Sequence, residues 1–230
     1  TISNFAGSGA NYTATFTPSG QGACTIDVAG GVFTDVLGNA NAAASQFNWL
    51  FDSVAPGMVI ASTTVSDGST TNDGSIALTF TASQAATGFA SGDIDFTHGQ
   101  ISNFAGSGAN YTATFTPDGT GARTEVCTIT VPINKFTDAA GNLNTVSNQF
   151  DWTHDSKLPT MVITASQGAD GFTSNDATLS LIFTASEAAT GFVIGDINTS
   201  STGTISNFAG SGSNYTATFT PSGQGACTID

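Results

Sequence analysis

One stretch of this sequence occurs three times. "TISNFAGSGANYTATFTPSGQGACTID" begins at Thr1 and returns at Thr204 with a single change, Ala10 to Ser213; a longer copy, "QISNFAGSGANYTATFTPDGTGARTEVCTIT", begins at Gln100. Laid over one another, the copies also align "FTDVLGN" from Phe33 with "FTDAAGN" from Phe136, "MVI" from Met58 with "MVI" from Met161, and "TFTASQAATGF" from Thr79 with "IFTASEAATGF" from Ile182. The period is about 100 residues, too long for a solenoid unit and the size of one small domain. Both ends fall at the same internal point of the repeat, so the chain reads as a window onto a longer, nearly periodic array.

The linker "FDSVAP" ending at Pro56 recurs as "HDSKLP" ending at Pro159. It divides the chain into residues 1–53, the C-terminal half of a repeat, residues 54–157, one complete repeat, and residues 158–230, the N-terminal part of a third. Within the complete repeat, Ile76, Leu78, Phe80 and Ala82 alternate with Ala77, Thr79 and Thr81. Tyr111, Ala113 and Phe115 alternate in the same way with Thr112, Thr114 and Thr116. Period two with one apolar face predicts strands. Others are expected at "GMVIAS", "GDIDFT", "QISNF", "VCTITVPI" and "NQFDWTH", where Phe150 and Trp152 share a face. Seven short strands, separated by turns such as "SDGSTTNDG", "GSGAN", "PDGTGA" and "TDAAGN", predict an all-β sandwich of the immunoglobulin type, one per repeat.

Composition narrows the function. Of 17 acidic residues only Glu125 and Glu187 are glutamates, and Arg123, Lys135 and Lys157 are the only fixed cations. A net charge of -14 argues against nucleic acid or an anionic membrane surface as partner. No apolar run approaches the ~20 residues of a membrane-spanning helix. An enzyme is not expected, since His98 and His154 have no counterpart in the other copies and neither lies beside a nucleophile. Phe and Trp sit mostly at inward parity, which leaves a sugar-binding surface without its aromatic platform. The short outward row Thr112, Thr114 and Thr116 is too sparse for an ice-binding face.

The string "FTAS(E/Q)AATGF…GDI…ISNFAGSG(A/S)NYTATFTP…FTDAAGN" resembles the bacterial immunoglobulin-like repeats found in tandem in giant surface adhesins and other extracellular repeat proteins. The resemblance covers the whole chain. It implies tandem seven-strand sandwiches in an extracellular structural array, acting as the spacer or stalk of a surface protein. The alternative is a laterally assembled filament or sheath in which identical chains meet through their repeats. Neighbouring repeats of the same chain are the expected partners.

Repeats of this kind often bind calcium at their junctions, through a linker Asp, a Glu in an "SEA" loop and a "DxxGN" loop. In a seven-strand sandwich these three segments share a pole. That places Asp52, Gln84, Asp138 and Asn142 at the first junction, Asp155 and Glu187 at an incomplete second one, and Asp35 and Asn39 at a preceding one. Gln84 departs from the pattern by one charge. Asp-x-x-Gly-Asn is also a common tight turn, so a purely structural role stands beside the calcium site.

Two further sets recur. Cys24, Cys127 and Cys227 fall once per repeat at one strand position. Equivalent points of successive sandwiches lie ~35–40 Å apart, against the ~7 Å limit between Cα atoms for a disulfide, so bridges within the chain are not expected. Cys127 shares parity with Ile129, Val131 and Ile133, which predicts a small buried thiol; a bond to another chain is the alternative. Asn11, Asn110 and Asn214 open "NYT" glycosylation sequons and Asn198 opens "NTS". The same Asn residues also suit the end of a Gly-rich turn.

Overall fold

Alternation of apolar and small polar residues becomes pleated strand. The computed structural model describes every residue except Thr120, so the turn read over 117–122 includes one residue outside the described set. The chain forms two units, Thr1–Ser156 and Lys157–Asp230. The first contains β1 (Ile2–Ser8), β2 (Asn11–Phe16), β3 (Gly22–Ile26), β4 (Phe47–Phe51), β5 (Met58–Ser62), β6 (Thr70–Thr71), β7 (Ile76–Ala82), β8 (Asp95–Phe96), β9 (Gly99–Ser107), β10 (Asn110–Pro117), β11 (Thr124–Thr130) and β12 (Phe150–Asp155). The second contains β13 (Met161–Ala165), β14 (Leu179–Ala185), β15 (Gly203–Ser211) and β16 (Asn214–Pro221).

The middle repeat is a complete sandwich. One sheet has the order β5-β7-β10-β9 and the other β6-β12-β11-β8, two facing sheets in the manner of an immunoglobulin sandwich. All seven expected strands are present. An eighth, the two-residue β6, lies in a stretch read as a turn and pairs in parallel with β12, Thr70 against Thr153 and Thr71 against His154. In β7 the side chains of Ile76, Leu78, Phe80 and Ala82 are buried while Ala77 and Thr81 face outward. In β10, Tyr111, Ala113 and Phe115 are buried and Thr112 and Thr116 exposed. One parity assignment is corrected: Ile133 is 58 % exposed. β11 ends at Thr130, ahead of Pro132, whose missing N–H breaks the ladder and the alternation with it.

Aromatic rings fill the space between the sheets. Phe89 contacts Phe80, Phe104, Tyr111 and Phe136 at centroid distances of 5.8, 5.5, 5.0 and 5.4 Å. Trp152 is fully buried and packs edge-on against Phe115 at 6.2 Å. Its indole N–H donates to the Thr71 hydroxyl at 3.0 Å, so β6 closes one edge of the sandwich and also meets the one polar need of its largest side chain.

The recurrent block is the hairpin β9–β10 and its equivalents. Asn103 has a positive φ of 51° at a register shift in the ladder. Asn tolerates this left-handed geometry better than most residues, and the amide of Asn103 donates to Thr114 Oγ1 at 3.3 Å. Gly106 has φ 136°, and a Cβ there would strike the Asn110 carbonyl and Tyr111 Cα. The ladder resumes at Ser107 opposite Asn110, leaving a two-residue turn whose first member, Gly108, has φ 62°, as a tight hairpin of this type requires. The second turn position is Ala109, and there the other copies carry Ala10 and Ser213.

Between β11 and β12 the chain is held by Asn144, only 2 % exposed. Its Oδ1 accepts from the backbone N–H groups of Lys135 and Phe136 at 2.6 and 2.9 Å, and its Nδ2 donates to the carbonyls of Pro132 and Thr145 at 2.8 and 2.7 Å. The equivalent Asn41 makes the same four bonds to Val32, Phe33, Ala29 and Ala42. Replacing Asn144 by Ala would strand four backbone groups, one buried and three part-buried. The expected loss is about 3 kcal/mol, read by urea or thermal unfolding as a fall of about 10 °C or more in the melting temperature of the middle repeat.

Candidate functional site at the repeat junction

The loop between β11 and β12 ends in a self-closed turn built on Asp138, which is 3 % exposed. Its Oδ1 accepts from the N–H groups of Ala140 and Asn142, both at 2.9 Å, and its Oδ2 from Asn142 Nδ2 at 2.9 Å. The Asn142 side-chain bond, with the backbone bonds behind it, holds the carboxyl below its ordinary range despite burial. Asp35 is held down the same way in its exposed loop, accepting from Leu37 N–H at 2.9 Å, Asn39 N–H at 2.9 Å and Asn39 Nδ2 at 2.8 Å. The turn is therefore a local property of the Asp-x-x-Gly-Asn sequence.

Around this turn the linker is clasped. Asn142 Nδ2 also donates to the carbonyl of Asp52 at 3.2 Å, and Gln84 Nε2 donates to the carbonyl of Val54 at 2.9 Å. Thr145 N–H reaches the Pro56 carbonyl at 3.0 Å, and Gly57 exchanges bonds of 2.9 Å with Ser83 through its N–H and its carbonyl. The loop after β7 is joined to the Asp138 loop by paired backbone bonds between Thr87 and Thr137. Asp52, Gln84, Asp138 and Asn142 do meet at one pole. The Asp52 side chain itself turns back to accept from Val54 N–H at 2.9 Å.

This donor set does not fit calcium as arranged. The ion needs six to eight converging oxygens. Here the Asp138 carboxylate is committed to three donors, and Gln84 and Asn142 present amide N–H groups to the linker. No group of three or more His, Cys, Asp or Glu suited to a metal is gathered among the described residues. At the other positions, Asp155 accepts from the Thr124 hydroxyl at 2.8 Å within the first unit, and Glu187 is exposed in the second. In that second unit the Ser83 clasp recurs, with Thr160 N–H donating to Ser186 Oγ at 3.0 Å.

The remaining candidates are dispersed. Asn11, Asn110, Asn198 and Asn214 are all exposed. Cys127 is fully buried opposite Trp152, Cys24 is half-buried opposite Trp49, Cys227 is exposed, and all three are free thiols. Burial, reinforced by Glu125 and Asp118, pushes the Cys127 thiol up to about 11. Asn144 and Ser83, which set the position of the loop and the linker, escaped the sequence reading. Asn144 had a signal in the second Asn of "GNAN" and "GNLN", present in both copies while the residue before it changes.

No helix among the described residues is long and apolar enough to cross a membrane. No curated protein and no solved structure matches the chain. The family described as bacterial Ig-like domain matches residues 1–50, 52–153 and 155–228, and the first two of these three successive stretches end beside the linkers that close at Pro56 and Pro159. Members of this family are generally non-catalytic structural repeats and are typically surface-exposed. With the sheet order of the middle repeat and the matches to either side of it, the chain belongs to the bacterial immunoglobulin-like domain family.

Proposed function

We propose that the chain is part of an extracellular structural array, the spacer or stalk of an adhesin or similar giant surface protein. The observation that carries this reading is the clasp on residues 52–57. Short linkers between domains leave relative motion as the default. Here the linker carbonyls of Asp52, Val54, Pro56 and Gly57 are each hydrogen-bonded to the middle sandwich, by side chains or backbone rooted in its loops. Such a join transmits length and stiffness from repeat to repeat, and the net charge of -14 keeps near-identical neighbours from associating at random. The burial of Cys127 favours a single string over a cross-linked filament. Electron microscopy of full-length material tests this: threads one sandwich wide support the spacer, and ordered filaments several sandwiches wide overturn it.

Calcium enters this proposal only through a Glu in the position of Gln84. At the first junction, chelation with EGTA is expected to leave the melting temperature of the middle repeat unchanged. Gln84→Glu removes the amide that holds Val54, costing about 1 kcal/mol without calcium. It also adds a carboxylate beside Asp52 and Asp138, so calcium should restore what was lost, as titration calorimetry and melting would show.

Two further outcomes follow from ionisation. Because the Asp138 pKa is lowered on folding, its contribution is present above the ordinary value of 3.8 and lost as pH falls through the folded value. Asp138→Asn should therefore be less stable at neutral pH and show a shallower acid limb in unfolding curves measured down through that range. The raised Cys127 pKa works in the opposite direction, its contribution being complete below 9.0 and lost as pH rises towards about 11. In thiol titration at mildly alkaline pH, Cys227 and Cys24 should react while Cys127 waits for unfolding.

A further inference from the structure

We infer that the middle repeat is built to bear tension: its first and last segments run side by side in the same direction, bonded so that a pull along the chain loads those bonds together in shear. The source of the load rests on the stalk reading, since a spacer between a surface and a held target is pulled end to end. The lock itself is a property of the sandwich.

The chain enters the middle sandwich at residues 52–57, beside the Asp138 loop, and leaves it after Asp155, at the far end of β12. Between these points the entering segment meets the leaving one at successive levels. Thr145 N–H donates to the Pro56 carbonyl at 3.0 Å, nearest the entry. Asn148 then bonds both the N–H and the carbonyl of Ile60 at 2.7 and 3.0 Å, its side-chain amide standing where the peptide of a neighbouring strand would. Further along, Gly68 N–H donates to the Asp151 carbonyl and Asp151 N–H to Asp67 Oδ1, both at 2.7 Å. Thr153 N–H reaches the Ser69 carbonyl at 2.9 Å, and β6 pairs in parallel with β12 through Thr70 and Thr71. Residue numbers rise together on both sides, so the contact is parallel from end to end, including where side chains make it.

That direction decides how the contact fails. Were the first and last segments antiparallel, both pulled ends would lie at the same end of the ladder, which would open one rung at a time. Here the pulled ends lie at opposite poles. Tension drives the two segments past one another along their length, and no rung parts until its neighbours do. Each hydrogen bond is weak on its own, but bonds that must break in one event raise the barrier together. Trp152 adds a tie from inside the sandwich. Its indole N–H bond to Thr71 Oγ1 at 3.0 Å spans the same two segments, and its buried ring is held edge-on against Phe115. A strand as short as β6 buries little; joining the two pulled segments is the task its position fits.

Constant-force measurements on the 230-residue chain, held at its two ends, test this. Unfolding of the middle repeat registers as an extension of roughly 300 Å, the stretched length of its residues less their folded span. Asn148 and Asp67 are exposed, so Asn148→Ala and Asp67→Ala should fold with an unchanged far-ultraviolet spectrum. Under load each is expected to unfold about tenfold faster than the parent or more. Thr97→Val is the comparison. It removes a hydroxyl that accepts from Thr128 N–H at 3.0 Å, a bond between β8 and β11, neither of which is pulled directly. It should lower stability in urea by a similar amount and leave the loaded rate unchanged. Equal loaded rates for the parent and Asn148→Ala overturn the inference, as does a Thr97→Val chain that unfolds as fast as Asn148→Ala. Neither result alters the width of the threads seen by electron microscopy, so failure of the lock and failure of the stalk reading are told apart.

Discussion

A sheet with one apolar face does not persist in water until a second sheet covers it, and most of what this chain displays follows from that requirement. The strands are short, the side chains modest, and the core depends on a few aromatic rings meeting across the gap. Trp152 and Phe136 come from one sheet and its connecting loop, Phe115 and Phe89 from the other, and all four rings are buried where the two layers meet. Phe33 and Phe47 are more than half exposed where their counterparts Phe136 and Phe150 are nearly inaccessible, while Phe183 and Phe219 stay as buried as Phe80 and Phe115.

Covering the sheets leaves the polar ends of the sandwich to be closed, and side-chain amides do that work. Asn144 replaces four missing ladder partners inside the loop, Asn142 joins the loop to the linker, and Gln84 holds the linker from the other side. The buried carboxylate of Asp138 is tolerable because three donors surround it. Intradomain closure and interdomain attachment thus share residues, so a loop that fails to form releases the linker as well.

The alternation in "SIALTFTA" and "NYTATFTP" made the strands and their inward faces legible, because burial on one side of a pleat leaves a period of two. β6 was not legible, since two residues in parallel pairing with β12 leave no periodic trace. Ile133 was misread because the parity argument ran on past the point where Pro132 ends the ladder. At the junction, the topology correctly brought Asp52, Gln84, Asp138 and Asn142 to one pole. The orientation of the amides could not be read from residue types: Gln84 looked like a weakened acidic ligand, and its N–H group is instead the part that touches the linker. Asn144 lay in plain view beside Asn142, but its role depends on a loop shape that only the folded chain displays.

The hairpin that recurs three times also separates what the fold requires from what it merely contains. Its geometry calls for Asn103, Gly106, Gly108, Tyr111 and Phe115, each tied to a bulge, a close approach, a turn or the core. It makes no comparable demand on Ser102, Ala105, Ser107, Thr112 or Thr116, which face water. Yet all five are unchanged in the copies at either end of the chain. Physical constraint does not produce identity at positions it leaves free. The sameness of those outward residues therefore has its cause outside the packing and hydrogen bonding of a single sandwich.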